Sequence, residues 1–181
     1  MLRLAINGFG RIGRTVLRAL QESPHRGQLE VVAINELADA TTVAHLTRYD
    51  STHGRFPGSV ELVDDCLRVA GPAGTRDKRL LRHAAIEDLD WGSIGVDIVL
   101  ECSGAFTDRA TAQKHLDAGA GRVLFSQPAE ADVDATIVYG VNQYCLSGDH
   151  RIVSAASCTT NGIVPLIAAL DDAFGIDCGT I

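Results

Sequence analysis

Apolar residues follow two different periods along this chain, and together they predict strands that alternate with helices. Apolar residues that recur every three or four positions predict helices over residues 12–22, 38–46, 108–118 and 163–170. Short apolar runs of strand length occupy residues 2–6, 29–34, 97–102, 123–126, 135–139 and 151–153. The alternating order predicts an α/β fold, a doubly wound parallel sheet of the Rossmann type.

The segment from residue 49 to residue 74 departs from this order. It mixes Gly and Pro with alternating stretches at 59–63 and 66–69, which predict a small antiparallel excursion, and a turn at 71–74. At the other end of the chain, the helix at 163–170 follows the last predicted strand. We therefore expect a dinucleotide-binding domain over residues 1–153 and the first strand and helix of a second domain over residues 154–181.

A glycine-rich loop joins the first strand to the first helix. Gly8, Gly10 and Gly13 form G-x-G-x-x-G, a weak signal alone but one that here lies between an apolar strand and an amphipathic helix. We expect Gly8 to permit the tight turn, Gly10 to let a pyrophosphate approach the backbone, and Gly13 to let helix and strand pack closely. The phosphates would lie at the helix N-terminus, where Arg11 is equally well explained as a phosphate contact or an exposed side chain.

An acidic residue supplies a second sign of a dinucleotide. Glu36 lies just beyond the second predicted strand, 23 residues after Gly13. A carboxylate at this place accepts hydrogen bonds from the adenosine ribose and repels the additional phosphate of NADP. The alternative is a solvated loop acid. Together with the glycine loop, Glu36 predicts NAD as the cofactor.

Cys158 is the candidate nucleophile. It lies in the stretch 154–162 (SAASCTTNG), after a predicted strand and close to the start of a helix. Unpaired N–H groups and the helix dipole favour a thiolate at that place, and the hydroxyls of Ser157, Thr159 and Thr160 could hold oxygens of a bound substrate. The alternative is a small buried cysteine capped by hydroxyl residues.

Composition excludes several classes of function. The formal charge of −7 over 181 residues argues against a nucleic-acid backbone or an anionic membrane as the main partner. No apolar run approaches the ~20 residues that span a bilayer, and the N-terminus lacks a signal-peptide layout. The odd number of widely spaced cysteines contains no CxxC pair, which indicates reduced thiols of a cytoplasmic protein without a metal site: Cys66, Cys102, Cys145, Cys158 and Cys178.

Five motifs in order resemble the glyceraldehyde-3-phosphate dehydrogenase family. They are INGFGRIGR at 6–14, YDSTHGRF at 49–56, ECSG at 101–104, VYGVN at 138–142 and SCTTN at 157–161. Within the family the chain is most similar to the erythrose-4-phosphate dehydrogenase branch. The evidence is AINELADA at 33–40, where the glycolytic enzymes usually carry Asp in place of Glu36, together with LFSQP at 124–128 and DVDAT at 132–136.

The resemblance implies an NAD-dependent dehydrogenase of a phosphorylated sugar aldehyde. Erythrose 4-phosphate would be oxidised to 4-phosphoerythronate through a thioester on Cys158, a step of pyridoxal phosphate biosynthesis in a cytoplasmic homotetramer. Water releases the product in this branch, whereas phosphate releases it in glyceraldehyde-3-phosphate dehydrogenases, the alternative reading. The resemblance also implies that Ser157 and Thr159 bind substrate or attacking phosphate. The residues that it implies for NAD contact are Arg11, Ile12, Ser103, Gly104 and Ser126.

The chain also departs from the family pattern. Ala155 and Gly162 stand where the family usually has Asn and a second Cys, and Ala84 stands where an NAD-contacting arginine is expected. In the family a histidine that activates the cysteine follows the position of residues 179–181 by about four residues. We therefore expect residues 1–181 to be a truncated, catalytically inactive chain that binds NAD weakly and exposes the apolar helix 163–170. Two alternatives remain: a non-catalytic NAD-binding module, and a degraded copy that folds poorly.

Overall fold

A computed structural model describes residues 1–72 and 74–180. The helices are α1 Arg11–Glu22, α2 Ala40–Arg48, α3 Trp91–Ile94, α4 Arg109–Asp117 and α5 Cys158–Phe174, with 3-10 turns at Pro24–Gly27, Ile86–Asp88 and Gln143–Cys145. The strands are β1 Leu2–Asn7, β2 Leu29–Asn35, β3 Tyr49–Asp50, β4 Gly54–Arg55, β5 Ser59–Val63, β6 Cys66–Gly71, β7 Gly74–Leu81, β8 Ile98–Glu101, β9 Arg122–Phe125, β10 Ala135–Thr136 and β11 Ile152–Ser154.

The strands of this described part form one nine-stranded sheet and a separate two-stranded hairpin. The sheet order is β10-β11-β9-β8-β1-β2-β7-β6-β5, and β3 pairs only with β4. All neighbours from β10 to β7 are parallel, whereas β6 and β5 run antiparallel beyond β7. The predicted α/β class with a doubly wound parallel sheet and an antiparallel excursion is confirmed. The carboxyl ends of seven parallel strands consequently meet at one edge, where ligands bind in such folds.

Alternate side chains of the central strand enter two different apolar layers. Leu4 and Ile6 belong to the cluster that contains Leu17 of α1, whereas Ala5 belongs to the cluster that contains Trp91 of α3. Side chains of a strand alternate between the faces of the sheet, so both faces of β1 are covered. This double burial explains the continuous apolar run from which the strand was predicted. None of the helices within the described ranges is long and apolar enough to cross a membrane.

Helix α3 was not predicted, and three further departures concern the sheet and the helix that begins at Cys158. Strand β7 was not predicted because it carries a charged run at 76–79, whose long side chains hide a strand that pairs with both β2 and β6. Helix α5 begins at Cys158 and not at residue 163, since its first turn is polar and lacks the apolar period. Strand β10 ends at Thr136, three residues earlier than predicted. In the predicted turn at 71–74, Gly71 pairs with Gly74, and Ala73 lies outside the described residues.

Candidate active site

Two glycines of the loop after β1 are required by close packing. Gly8 has φ +85°, and a Cβ added there would come within 2.4 Å of the Ser103 Cα. A Cβ at Gly13, inside α1, would come within 2.5 Å of the Gly8 carbonyl oxygen and 2.9 Å of the Ile6 side chain. The loop therefore packs directly against the chain that leaves β8, as the turn and packing roles expected of these glycines require.

Gly10 differs because it faces open space. A Cβ at this position would meet nothing within 4 Å. Gly10 is also the N-cap residue of α1, and no side chain of the described residues caps this helix end. The first N–H groups of α1 thus remain open toward the solvent, which is the arrangement that binds a phosphate at a helix N-terminus.

The two residues after Gly10 point outward from the first turn of α1. Arg11 forms an ion pair with Asp50 at 3.4 Å, and its guanidinium also donates to the Ser51 hydroxyl at 3.4 Å. Ile12 is half exposed. The Arg11 side chain is therefore tied to the β3–β4 hairpin, so a cofactor contact by Arg11 would come from its backbone N–H.

Glu36 lies at the carboxyl end of β2, across from the glycine loop. Its Oε2 accepts the Phe9 N–H at 2.8 Å, and its Oε1 accepts the Ala38 N–H at 3.1 Å. These bonds fix the carboxylate while each oxygen keeps a second lone pair. A solvated loop acid would not be held in this way. Glu36 is thus pre-oriented toward the space beside the glycine loop.

A cleft of about 350 Å³ lies between the ends of β1, β2 and β8. Its walls include Gly8, Gly10, Glu36 and Ser103, together with Ala84, which the sequence singled out as a departure. Residues that sequence reasoning did not assign also line it: Asn7, Asn35, Leu37, His83, Cys102, Ala105 and Phe106. Most of them are the last residue of a strand or lie within two residues after it, and this position is the signal that could have identified them.

One candidate compensation for the small Ala84 side chain is Arg82. Its Nε donates to the Leu37 carbonyl at 2.8 Å, so the guanidinium is held beside the end of β2. Arg82 lines a smaller pocket that shares Glu36 with the cleft, and it does not line the cleft itself. Cys102, in contrast, does line the cleft, but burial raises the pKa of its thiol to about 11, so that it stays a neutral thiol.

A buried hydrogen-bond network fixes the strand ends beneath the cleft. Glu101 is fully buried, and its Oε2 accepts from Asn7 Nδ2 at 2.6 Å and from His115 Nε2 at 3.0 Å, while its Oε1 accepts the Ser103 N–H at 2.8 Å. Trp91 Nε1 donates to His115 Nδ1 at 3.0 Å, so the ring proton lies on Nε2. Burial raises the pKa of Glu101, but the hydrogen bonds that it accepts outweigh burial and hold this pKa below its ordinary value.

The network continues across the neighbouring strand. Asn35 Nδ2 donates to Asn7 Oδ1 at 2.7 Å and to the His83 carbonyl at 2.9 Å, and Asn35 Oδ1 accepts the His83 N–H at 2.9 Å. The ends of β1, β2 and β8 and the segment after β7 are thereby joined side by side. These hydrogen bonds hold the strand ends in place beneath the cleft.

The strand order brings the predicted site residues into one row along the sheet edge. Glu36 follows β2, Gly8 follows β1, Ser103 and Gly104 follow β8, Ser126 follows β9, and Cys158 follows β11. Neighbouring strands lie about 4.8 Å apart, so four steps from β2 to β11 span roughly 19 Å. An extended dinucleotide that starts at Glu36 would run toward Cys158 along this edge.

Cys158 is the exposed first residue of α5, directly after a constrained turn. Ala156 has φ +60°, a conformation that L residues rarely adopt, and its N–H donates to Ser154 Oγ at 3.0 Å. Asn161 Nδ2 donates to the Ala155 carbonyl at 2.7 Å. Ser154 and Asn161 therefore supply side-chain hydrogen bonds to the turn, in which the Ala155 side chain itself can form none.

The hydroxyl residues beside Cys158 differ in their hydrogen bonds and in their exposure. Ser157 is the N-cap of α5, and its Oγ accepts the Thr160 N–H at 2.9 Å. Ser157 Oγ also shares hydrogen bonds with the hydroxyls of Thr159 at 2.9 Å and Thr160 at 2.6 Å. Since Ser157 is occupied by capping, the exposed Thr159 is the more accessible of the two predicted substrate residues.

No base contacts the cysteine in the described ranges 1–72 and 74–180. The hydrogen bonds of the histidine rings there go elsewhere, as in His115 to Glu101 and Trp91, and in His150 to Ser147. The same ranges contain no group of three His, Cys, Asp or Glu side chains that could hold a metal ion. The nearest feature that favours negative charge at Cys158 is therefore the N-terminus of α5.

NAD fits the site at the glycine loop. The open N-terminus of α1 suits its phosphates, Glu36 suits its adenosine ribose, and the cleft continues toward Ser103 and Gly104. Residues 2–109, more than half of the chain, match the family model of the glyceraldehyde 3-phosphate dehydrogenase NAD-binding domain. NAD is therefore the cofactor of this domain. The chain belongs to the glyceraldehyde 3-phosphate dehydrogenase family.

Proposed function

We propose that this chain carries the NAD site and the nucleophile of an enzyme that oxidises a phosphorylated sugar aldehyde. The substrate that we propose is erythrose 4-phosphate and the product 4-phosphoerythronate. The observation that carries the proposal is the row of Glu36, Gly8, Ser103, Ser126 and Cys158 along one sheet edge. This row supports the proposal because the exposed Cys158 thiol follows β11, four strands away from Glu36 at the end of β2.

The proposed chemistry follows from this arrangement. The Cys158 sulfur attacks the aldehyde carbon, and the carbonyl oxygen takes up a proton to give a thiohemiacetal. NAD supplies a hydride acceptor. When the hydride leaves the thiohemiacetal carbon and the proton leaves its hydroxyl oxygen, a thioester remains on Cys158, and water releases the acid and returns the thiol. The Thr159 hydroxyl is exposed beside the sulfur, where it would hold a substrate oxygen.

The choice of erythrose 4-phosphate rests on residues near both ends of the path. Glu36 and the stretches 124–128 and 132–136 resemble the erythrose-4-phosphate branch of the family. A phosphorylating glyceraldehyde-3-phosphate dehydrogenase is the alternative, in which phosphate and not water releases an acyl phosphate. Glu36 would contact the adenosine ribose and not the substrate, so it supports the branch by resemblance and does not itself select the substrate.

Thiohemiacetal formation at Cys158 tests the proposal without requiring turnover. We expect erythrose 4-phosphate to slow iodoacetamide alkylation of Cys158, measured by mass spectrometry, while Cys145 and Cys178, both exposed, react as before. Glyceraldehyde 3-phosphate in place of erythrose 4-phosphate tests the alternative substrate. Equal alkylation of Cys158 with and without either aldehyde would contradict the role of Cys158.

A non-catalytic NAD-binding module is the competing function. The observation that favours it is that no base contacts Cys158 among residues 1–72 and 74–180. A positioned base normally activates such a nucleophile. We therefore expect residues 1–181 with NAD and erythrose 4-phosphate to form no NADH in steady state, and continued NADH formation that is lost in Cys158→Ser but kept in Cys145→Ser would refute this expectation.

The remaining features of the proposal concern domain organisation, assembly, compartment and pathway. We propose a division into an NAD-binding domain over residues 1–153 and the start of a catalytic domain at residue 154, and a homotetramer that acts in the cytoplasm in pyridoxal phosphate biosynthesis. All five cysteines are free thiols, which supports a reducing compartment. The tetramer and the pathway rest on the resemblance alone, and sedimentation velocity would test the tetramer.

A further inference from the structure

A second cavity lies at the opposite edge of the sheet from the cofactor cleft. It has a volume of about 450 Å³ and opens beside the end of α1 and the beginning of β2. Leu17, Leu20, Leu29 and Val31 form its apolar wall, and Pro24 and Pro72 lie at its border. Glu36 and the glycine loop lie at the carboxyl ends of the same strands, so no residue of the cofactor cleft takes part.

The polar part of the cavity wall carries an excess of positive charge. Arg26, Arg76 and Lys78 line it together with one carboxylate, Glu30, which lies 3.4 Å from Arg76. The Arg26 guanidinium donates to the Ser23 carbonyl at 3.1 Å, a neutral partner. Three cations therefore face one anion, which leaves two positive charges without a countercharge on the cavity wall.

Lys78 is the most unusual of these groups. It is 2% exposed, and Lys is almost never fully buried unless it is paired. Within residues 1–72 and 74–180, its ammonium forms no hydrogen bond or ion pair. Burial lowers the pKa of Lys78 to about 8, which records the cost of holding this charge away from water. An anion in the cavity would offset that cost.

A neighbouring side chain offers an acceptor. Gln21, at the end of α1, is 6% exposed, and its Oε1 is buried without a hydrogen-bond partner among the described residues. Such buried acceptors are rare in native structures and call for a water or a ligand. Gln21 lines the same cavity as Lys78. The cavity thus combines an unpaired cation with an amide oxygen that requires a donor.

We propose that this cavity binds a small hydroxylated organic anion. Its carboxylate or phosphate would lie against Lys78 and Arg76, its hydroxyl would donate to Gln21 Oε1, and its carbon frame would pack on the leucines of α1 and β2. Carboxylates and phosphate monoesters share this chemistry, so both belong in the test. Occupancy at this edge is independent of the NAD site, and the inference does not rest on the proposed catalytic function.

The two lysines of the chain allow a direct test with an internal reference. Lys78 is buried in the cavity wall, whereas Lys114 is exposed and paired with Glu87. Amine acetylation followed by mass spectrometry gives both labelling rates in one sample, with lactate, glycerol 3-phosphate, propionate and inorganic phosphate as probes. We expect lactate or glycerol 3-phosphate to slow labelling of Lys78 at least severalfold without changing Lys114. Propionate, which lacks the hydroxyl, is expected to have a weaker effect.

Calorimetry on variants completes the test. We expect Lys78→Met to reduce affinity for the effective probe at least tenfold, Gln21→Met to remove the preference over the hydroxyl-free analogue, and Lys114→Met to change neither. NAD binding reports whether each variant is folded, because the cofactor cleft lies at the other edge. The proposal is overturned if no probe slows Lys78 labelling, if inorganic phosphate or propionate binds as tightly as the hydroxylated probes, or if Lys78→Met still binds NAD and keeps full affinity for the probe.

Discussion

Substitution of Glu101 by Gln tests how strongly the buried network supports the cofactor cleft. Three donors converge on the Glu101 carboxylate: Asn7 Nδ2 and His115 Nε2 on Oε2, and the Ser103 N–H on Oε1. A glutamine has the same shape, but one of its two terminal atoms is a donor. Whichever way the amide is oriented, its NH2 group therefore faces at least one of these donors and leaves that donor without an acceptor.

The expected cost follows from the groups that lose their acceptor. With the amide oxygen toward Asn7 and His115, one N–H is orphaned, that of Ser103; with the opposite orientation, two are orphaned. Each buried group left unsatisfied costs about 1–3 kcal/mol. We expect Glu101→Gln to lower the free energy of unfolding by about 2 kcal/mol, and by about 1 kcal/mol at the least.

Thermal and urea melts measure this cost. A loss of about 2 kcal/mol lowers Tm by roughly 4–8 °C in a chain of this size. Glu61→Gln is the matched control, because Glu61 makes the same change of charge at an exposed position on β5. If Glu101→Gln melts within about 1 °C of Glu61→Gln, the network does not carry the stability assigned to it.

The pH dependence gives a second measurement on the same pair of proteins. The pKa of Glu101 is lower in the folded chain than its ordinary value of 4.5. Its contribution is therefore fully present above that value and is lost as the pH falls through the lowered folded pKa. The stability difference between the parent chain and Glu101→Gln should shrink toward acidic pH. A difference that stays constant or grows there would refute the assignment of the charged carboxylate.

Four further predictions concern single positions. Gly8→Ala should destabilise the chain in urea melts by more than the ~1–2 kcal/mol of a left-handed residue, since its Cβ also meets Ser103 at 2.4 Å; an unchanged midpoint would contradict this packing. Glu36→Gln should weaken NAD about tenfold or more in calorimetry and NADP less, and equal loss for both would argue against ribose recognition. Stability should rise between about pH 8 and pH 10.5, because the unfolded chain keeps the proton that folded Lys78 releases; the same rise in Lys78→Met would exclude Lys78 as its source. Light scattering should detect self-association that Phe174→Ser reduces, since Phe174 is 84% exposed on α5, and a monodisperse monomer would refute it.

The parts of the fold that could be predicted are those in which local pattern and tertiary packing agree. The central strands are buried on both faces, so their continuous apolar runs predicted them correctly. Gly8 and Gly13 could be assigned because only glycine fits where the loop contacts Ser103 and the first strand. Strand β7 could not be predicted from the sequence. Its charged residues at 76–79 contradict the pattern of a strand, although that strand pairs on both sides.

The residues of the candidate site likewise divide into those that the sequence predicts and those that it does not. Glu36 and Cys158 could be proposed because each follows a strand and carries the chemistry itself. Asn35 and His115 could not, since their importance comes from hydrogen bonds to residues far away in sequence, as from Asn35 to Asn7 and from His115 to Glu101. The burial of an unpaired charge, as at Lys78, likewise cannot be predicted from the sequence, because it depends on which strands are neighbours in the sheet.

The most direct test of the central claim is whether the nicotinamide end of NAD reaches Cys158. ADP-ribose shares the adenosine, ribose and phosphate groups that we propose to contact Glu36 and the glycine loop, but it lacks the nicotinamide. Iodoacetamide alkylation of Cys158 should therefore slow severalfold with saturating NAD and remain nearly unchanged with saturating ADP-ribose, while Cys145 reacts equally in both. Cys158 alkylation that is the same with NAD and with ADP-ribose would contradict the row of site residues along the sheet edge.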